Sequence, residues 1–499
     1  MKPATLVLAL AAALALGACK SLAPPDKLPE IDSPETFKTA AAQLSEAERG
    51  RWKVAEPKDG ELRGEWWKVF GDPVLDGLVA DALAGSPTLQ AAAARVEQSR
   101  ALLGITRADQ RVQLSAGAGP FNIRSSPGSV GLPPGTDLSS TTLWRANATV
   151  SYEIDVFGRL RDNARAATRD LEAGEATFQL VKLALQADVA RSYLELREAD
   201  TDALLLIEAV KLRERSLVLA KKRFAAGAVA EFDVLRATAE LATTRAQLEA
   251  AIARRARLEN AIAVLAGKVP ARLTIDSTGR RAEVPTVPAG LPSSLLERRP
   301  DVVSAQRSLM AANARIGAAK AAFYPAINLT GTGGFEARDI DDVFRWSSRT
   351  WLLGPFIGGI VSVPILDGGR NRARLQRAQA VYEEAVANYR NAVLVSFGEV
   401  EDNLVGLRSL VQQQLAAVEA ATAARRAAQL AQLRYDAGAS SFLDVIDAQR
   451  TQLDAEREEN RVHGARVTGT VALIRALGGG WTDPPKNADG AATEKTASK

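Results

Sequence analysis

A chain of 499 residues that is 46% hydrophobic but only 5% aromatic carries much of its apolar weight on alanine, a side chain that favours helices and lets them approach closely. Its net charge of +4 is slight for the length, and acids and bases are interspersed, so nothing resembles a nucleic-acid footprint. A single cysteine excludes a disulfide within the chain, and with a single histidine beside it there is no His/Cys cluster for a metal.

The chain opens with a positive Lys2 and an apolar stretch over 6–16 that is too short to span a bilayer. Leu16-Gly17-Ala18-Cys19 follows and resembles the bacterial lipobox, in which the cysteine is lipidated and becomes residue one. Residues 1–18 are therefore expected to be a signal peptide and Cys19 to carry a covalent lipid. An ordinary secretory signal with an incidental cysteine is the alternative. Lys20 comes next, and no aspartate stands there to hold a lipoprotein at the inner membrane. Residues 19–65, rich in proline and charge, read as a strap to the first packed helix. Lipid alone anchors modestly, and no other run of about eighteen apolar residues exists to supply a spanning helix, so a different membrane element is expected.

The stretch 66–270 supplies it. Over 112–118, Val112, Leu114 and Ala116 alternate with Gln113 and Ser115. Over 144–155, Trp144, Ala146, Ala148, Val150, Tyr152 and Ile154 alternate with Arg145, Asn147, Thr149, Ser151, Glu153 and Asp155. Period two gives one apolar and one polar face. A soluble sandwich has the same alternation, but the export signal and the strand length favour membrane strands. The Gly/Pro/Ser-rich stretch 120–140 is then an external loop. From 158 to about 226 no proline occurs, and Val189, Leu196, Ala203, Val210, Leu217 and Phe224 recur every seven residues, a coiled-coil seam. At about 1.5 Å per residue this helix runs roughly 100 Å. Gly227 ends it, and a shorter helix, 232–265, returns, closing a hairpin over 158–267. Stacking 87–110 end to end on the returning helix makes up the difference in length.

After a linker over 271–298, the stretch 299–481 follows the same plan. Strands are expected over 327–335 and 351–363, around a charged loop, 336–349, with Asp339, Asp341 and Asp342. The last strand is poor, being interrupted by Pro355, Gly358 and Gly359. Trp144, Phe335, Trp346 and Trp351 lie near strand ends, where amphipathic rings suit lipid headgroups. A second hairpin, 369–477, has Val400, Leu407, Ala421, Ala428 and Tyr435 on its seam, with Gln414 as a polar break, and Gly438 at its tip. Residues 300–322 match 87–110, and the polar tail 482–499 reads as disordered.

The likeness is in register. Gly158-Arg159 lies on Gly369-Arg370, a shift of 211 residues, and the same shift lays Phe224 on Tyr435, Asp233-Val234-Leu235 on Asp444-Val445-Ile446, and Gly267 on Gly478. An ungapped match of that length fits helices, where an insertion would rotate every following side chain. Upstream, Pro87 matches Pro300 and Gly104 matches Gly317 at a shift of 213. The expected fold is thus mainly α, with long antiparallel coiled coils and four membrane strands per chain, internally duplicated. Four strands in lipid leave open edges that hydrocarbon does not tolerate. Several chains must therefore close a barrel around a rotational axis. Two would give eight strands, too narrow for a solute channel, and three would give twelve; the pattern does not count the subunits.

These residues resemble the TolC-like outer-membrane efflux channels, and within them the lipoprotein (OprM/NodT-like) branch serving resistance–nodulation–division (RND) pumps. The resemblance covers nearly all of the mature chain. It rests on Trp66-Trp67 with Phe70-Gly71-Asp72-Pro73, on 152–159 (YEIDVFGR), on 295–302 (LLERRPDV), on 311–321 (AANARIGAAKA) running into Tyr324-Pro325, and on 364–369 (PILDGG). Gln306 departs from the family pattern, which usually has Glu there. The resemblance implies a homotrimer with a twelve-stranded barrel in the outer membrane of a Gram-negative bacterium, a periplasmic tunnel of helices closed at its far end, a periplasmic adaptor and an inner-membrane RND transporter as partners, and passive export of drugs or other small molecules. It also implies a gate at the tip of the second hairpin, made of Tyr435 and of aspartate rings from Asp444 and Asp447. A plain helix cap is the alternative for Asp444. In the first repeat Phe224 stands for Tyr435 and Arg236 for Asp447, as expected if one hairpin lines the lumen. The tips around Gly227 and Gly438 are the expected docking points of the adaptor.

No catalytic, cofactor or metal-binding residues are expected. His463 stands mid-helix between Arg461 and Arg466 and reads as solvated. Gly331-Thr332-Gly333-Gly334 is followed by no helix, so it is not a dinucleotide loop, and Gly267-Lys268 lacks the rest of a phosphate loop. The competing functions are the outer-membrane component of type I protein secretion, and a periplasmic adaptor or structural coiled-coil lipoprotein.

Overall fold

The computed structural model describes residues 21–25, 29, 65–285, 299–353 and 359–479. Cys19, the signal peptide, most of the strap, residues 295–298 of the 295–302 motif, Pro355, Gly358 and the tail 482–499 lie outside the described residues.

Helix α1 (Pro73–Gly85) begins on Asp72, whose carboxylate accepts from Val74 N at 2.9 Å, with Pro73 at the first helical position. This is the packed helix to which the strap was expected to lead, and Asp-Pro is its start signal. In chain order follow α2 (Pro87–Ala108), β1 (Gln113–Ile123), β2 (Thr141–Ile154), α3 (Arg159–Ala225) and α4 (Glu231–Leu265). The second copy supplies α5 (Pro300–Ala321), β3 (Ala326–Ala337), β4 (Arg349–Leu353), β5 (Gly359–Ser362), α6 (Arg370–Asp436) and α7 (Phe442–Ala476). Of the expected fourth strand, the described residues form β4 and β5. β1 runs further into the proposed loop than its alternation suggested, through Pro120 to Ile123.

Contacts divide the chain into two units. One holds the described residues of 21–29, 95–175 and 304–390, with the five strands β1 to β5. Its sheet has the order β1-β2-β3, and both β4 and β5 pair with β3. All pairings are antiparallel, so facing residues share a side. Leu114 faces Val150, which faces Gly331; Ala116 faces Ala148, which faces Gly333, which faces Trp351. That side is apolar and open to the surroundings, with Leu114 71% and Trp351 73% exposed. On the other side Thr149 and Thr332 hydroxyls meet at 3.1 Å, and Arg145 pairs with Glu336 while lying 4.1 Å from the Phe121 ring. The 152–159 motif turns the chain into α3: Asp155 accepts from Leu160 N at 3.1 Å and Arg161 N at 2.8 Å, and Glu153 holds Arg159 at 2.6 Å.

The other unit holds the described residues of 65–94, 176–303 and 391–479. Its main core gathers Trp66, Leu75, Val79, Val189, Tyr193, Leu196, Ile262 and Val471. Of the α3 seam, Val189, Leu196 and Ala203 are buried as the heptads demand, Val210 and Leu217 are half-buried, and Phe224 is exposed. Asp200 is fully buried between Arg197 at 3.0 Å and Arg255 at 2.6 Å, and Arg197 also donates to the Tyr193 hydroxyl, which in turn donates to Asp72 at 2.6 Å. Pro87 abuts Gly267 at the end of α4, and Arg299 abuts Gly478 at the end of α7, so α2 and α5 start where the returning helices stop. Buried Arg299 donates to Ala476 O at 2.7 Å and binds Asp301 and Glu399, both at 2.7 Å.

Candidate functional site

Both hairpins turn in the same way. Gly227 and Gly438 sit at φ 71° and 74°, a left-handed conformation that other residues adopt only with strain. Gly227 N donates to Phe224 O at 2.8 Å and Ala228 N to Arg223 O at 2.9 Å; Gly438 N donates to Tyr435 O at 3.0 Å and Ala439 N to Arg434 O at 2.8 Å. These bonds satisfy the last carbonyls of α3 and α6. Both glycines are exposed, as are Phe232 and Leu235 on one hairpin and Leu433 on the other.

Tyr435 is 6% exposed, in a small core with Ala220, Ala237, Phe442, Val445 and Ile446. Its ring lies 5.5 Å from that of Phe442, and the Arg223 guanidinium of the first hairpin lies over it at 4.4 Å. Tyr435 therefore joins the two hairpins. Asp444 is exposed and is the third residue of a capping box: it accepts from Ser441 N at 2.9 Å and Ser441 Oγ at 3.0 Å, while Asp444 N donates to Ser441 Oγ at 3.3 Å. Asp447 lies one turn further and meets Arg236 Nη2 of the first hairpin at 3.3 Å. Next to it Arg450 binds Glu240.

Tyr435, Asp444 and Asp447 are thus brought to one end of one hairpin, but the chain by itself does not place them around a common axis. Sequence reasoning noted Arg236 only as a replacement for aspartate and missed that it is the partner of Asp447. It also passed over Arg223 against Tyr435, since contacts between hairpins have no local signal. Ser441-x-x-Asp444 was legible as a capping box. Higher up, Gln414 does break the seam, and its buried Oε1 has no hydrogen-bond partner among the described residues. His463 is half-buried rather than solvated: its Nε2 lies 2.9 Å from Ala282 O, and burial pushes its pKa below the ordinary value. The linker residue that covers it lies far away in sequence, which is why the heptad face suggested solvent. No group of three or more His, Cys, Asp or Glu poised for a metal occurs among the described residues.

The model of the family described as outer membrane efflux protein matches residues 78–268 and 291–479, one match to each copy of the repeat. Outer membrane protein OprJ of Pseudomonas aeruginosa is 34% identical over 485 residues, covering 97% of both chains. Cation efflux system protein CusC of Escherichia coli is 31% identical over 476 residues, covering 94% of this chain and 97% of its own. Among solved structures, the Campylobacter jejuni CmeC outer membrane channel superposes with a TM-score of 0.84 at 26% identity, over 94% of this chain and 96% of that one. The open state of the Neisseria gonorrhoeae MtrE outer membrane channel gives 0.77 at 27% identity, over 94% and 100%.

Proposed function

This chain belongs to the outer membrane efflux protein family and is an outer-membrane channel component of an efflux system, and from that premise we propose that its copies close into a homotrimeric, passive conduit with a twelve-stranded barrel. The observation that carries this reading is the sheet. Its apolar side is exposed, β1 pairs only with β2, and β4 and β5 pair only with β3 among the described residues. Two open edges and an exposed apolar face belong in lipid only when neighbouring copies complete the ladder.

Cys19 carries lipid in this reading, and the segment just after it is held by the strand-bearing unit through Ser21 on Asp162 at 2.7 Å and Pro24 O on Asn313 at 2.8 Å. The hairpin tips, with exposed Phe232, Leu235 and Leu433, dock a periplasmic adaptor. The chain moves its cargo without catalysing a reaction, so an inner-membrane transporter of the RND type supplies the energy. Tyr435, Asp444 and Asp447 form the constriction at the tips. Small-molecule cargo fits the role named for the toluene efflux pump outer membrane protein TtgI of Pseudomonas putida, a relative 34% identical over 473 residues.

Detergent-purified protein should run as a trimer by light scattering and form ion channels in planar bilayers. A buffer-soluble monomer that forms no channels would overturn the proposal.

A further inference from the structure

The two hairpins meet through residues whose repeat register is known. Arg223 lies over Tyr435, Arg236 pairs with Asp447, Asp202 pairs with Arg457 at 2.7 Å, and Glu240 pairs with Arg450. In each contact the first hairpin offers one face and the second offers the other, so each hairpin keeps one face unused. Shifting each contact by one repeat gives the residues on those unused faces. Arg223 over Tyr435 becomes Arg434 over Phe224. Asp202 with Arg457 becomes Gln413 with Ala246. Glu240 with Arg450 becomes Thr451 with Ala239.

The shifted pairs match each other chemically. The cation–ring contact survives as arginine on phenylalanine, and Phe224 is 45% exposed, as an unmet partner would be. Where one member of a charged pair is lost, the other is lost too, so no charge is left unmatched. Arg434, Gln413, Thr451, Ala246 and Ala239 are all exposed in the single chain.

The fourth contact is special. Asp447 stands 211 residues after Arg236, the repeat shift itself, so shifting this pair returns the same pair. We infer that the unused hairpin faces bind a second copy of this chain, with Arg434 over Phe224 of the partner subunit, and that each Asp447 sits between its own Arg236 and the partner's Arg236. The tip constriction is then a ring of alternating charge in which Arg236 is a selectivity-determining residue. Only a rotational arrangement lets equivalent positions touch in succession. The arrangement suits a closed tip: neighbours attract, whereas a ring of aspartate alone repels itself. In the single chain Asp447 is 57% and Arg236 28% exposed, which leaves room for the second partner.

The inference rests on the trimeric channel proposed above, and the tests separate the two. If the unaltered protein forms no bilayer channels, the channel reading fails. If it does, Phe224→Cys with Arg434→Cys should give covalent oligomers with a bismaleimide reagent, whose spacer replaces the reach of the two long side chains; these should be absent from the parent chain, whose only cysteine is Cys19. In the same bilayers Arg236→Asp should raise the closed-state conductance and shift the reversal potential toward cation selectivity. Arg236→Asp with Asp447→Arg should bring both back toward the parent values, because exchange preserves alternation. Channels that show no cross-link, or an exchange variant that behaves like the Arg236→Asp single variant, would overturn the ring while leaving the channel standing.

Discussion

Ser21, two residues past Cys19, donates its hydroxyl to Asp162 Oδ1 at 2.7 Å, at the start of α3 just beyond the end of β2. Asp162 is fully buried, and burial pushes its carboxyl above the usual range while the Ser21 hydrogen bond pulls it back. Gly317 on α5 makes room for this contact: a methyl group there would overlap Asp162 Oδ2 and come within 2.7 Å of Ala23 N.

Gly317→Ala should therefore destabilise the strand-bearing unit by about 1–3 kcal/mol, the usual range for overpacking. It should also free the segment around Ala23 for proteolysis. Thermal unfolding in detergent and limited digestion measure the two effects. Gly104, at the equivalent position of the first repeat, has no atom near its missing methyl, so Gly104→Ala is the control: it should leave digestion unchanged and raise stability by about 0.5–1 kcal/mol, the usual gain of alanine over glycine within a helix.

Each hairpin carries an ion pair between its two helices at the same height, with the charges exchanged. Glu214 meets Arg245 at 2.6 Å in the first, and Arg425 meets Glu456 at 2.9 Å in the second, each residue 211 positions from its counterpart. These partners are partly exposed, so each pair should couple by only about 0.2–1 kcal/mol in a double-mutant cycle. Reversing one pair, as Glu214→Arg with Arg245→Glu, should restore the parent melting temperature, whereas Glu214→Arg alone should lower it.

Ser441 separates the two roles open to Asp444. Ser441→Ala removes a capping partner and should cost about 0.5–2 kcal/mol of stability without changing the charge at the tip. Its bilayer conductance should match the parent. Asp444→Asn removes the charge, and a changed ion selectivity there assigns Asp444 to the constriction. Selectivity unchanged in both variants assigns it to helix capping alone.

His463 gives the protein a single imidazole titration. Burial holds its folded pKa below 6.5, so the unfolded chain takes up the proton first as pH falls. Its contribution is constant above the ordinary value and becomes destabilising from about pH 6.5 downward, until the depressed folded pKa is passed. The melting temperature of the parent should fall more between about pH 7.5 and pH 5.5 than that of His463→Gln. Parallel curves would mean that the folded protein protonates His463 freely.

Local rules made much of the fold legible. Period two in 144–155, seven-residue spacing from Val189 to Phe224 and glycines at 227 and 438 depend only on neighbouring residues, so the strands, long helices and turns could be placed within a few positions. The fourth strand was the weakest because its alternation is broken, and among the described residues it is represented by two short strands. The register of the repeat even identified Arg236 and Asp447 as counterparts. What the sequence could not decide was that these counterparts touch, that Arg223 covers Tyr435, that Asp200 is buried between two arginines, or that a linker carbonyl meets His463. Each of these joins residues from different helices or from a helix and a linker. Which side chains meet there depends on how those elements are rotated and set against one another, and only the packed tertiary structure specifies that.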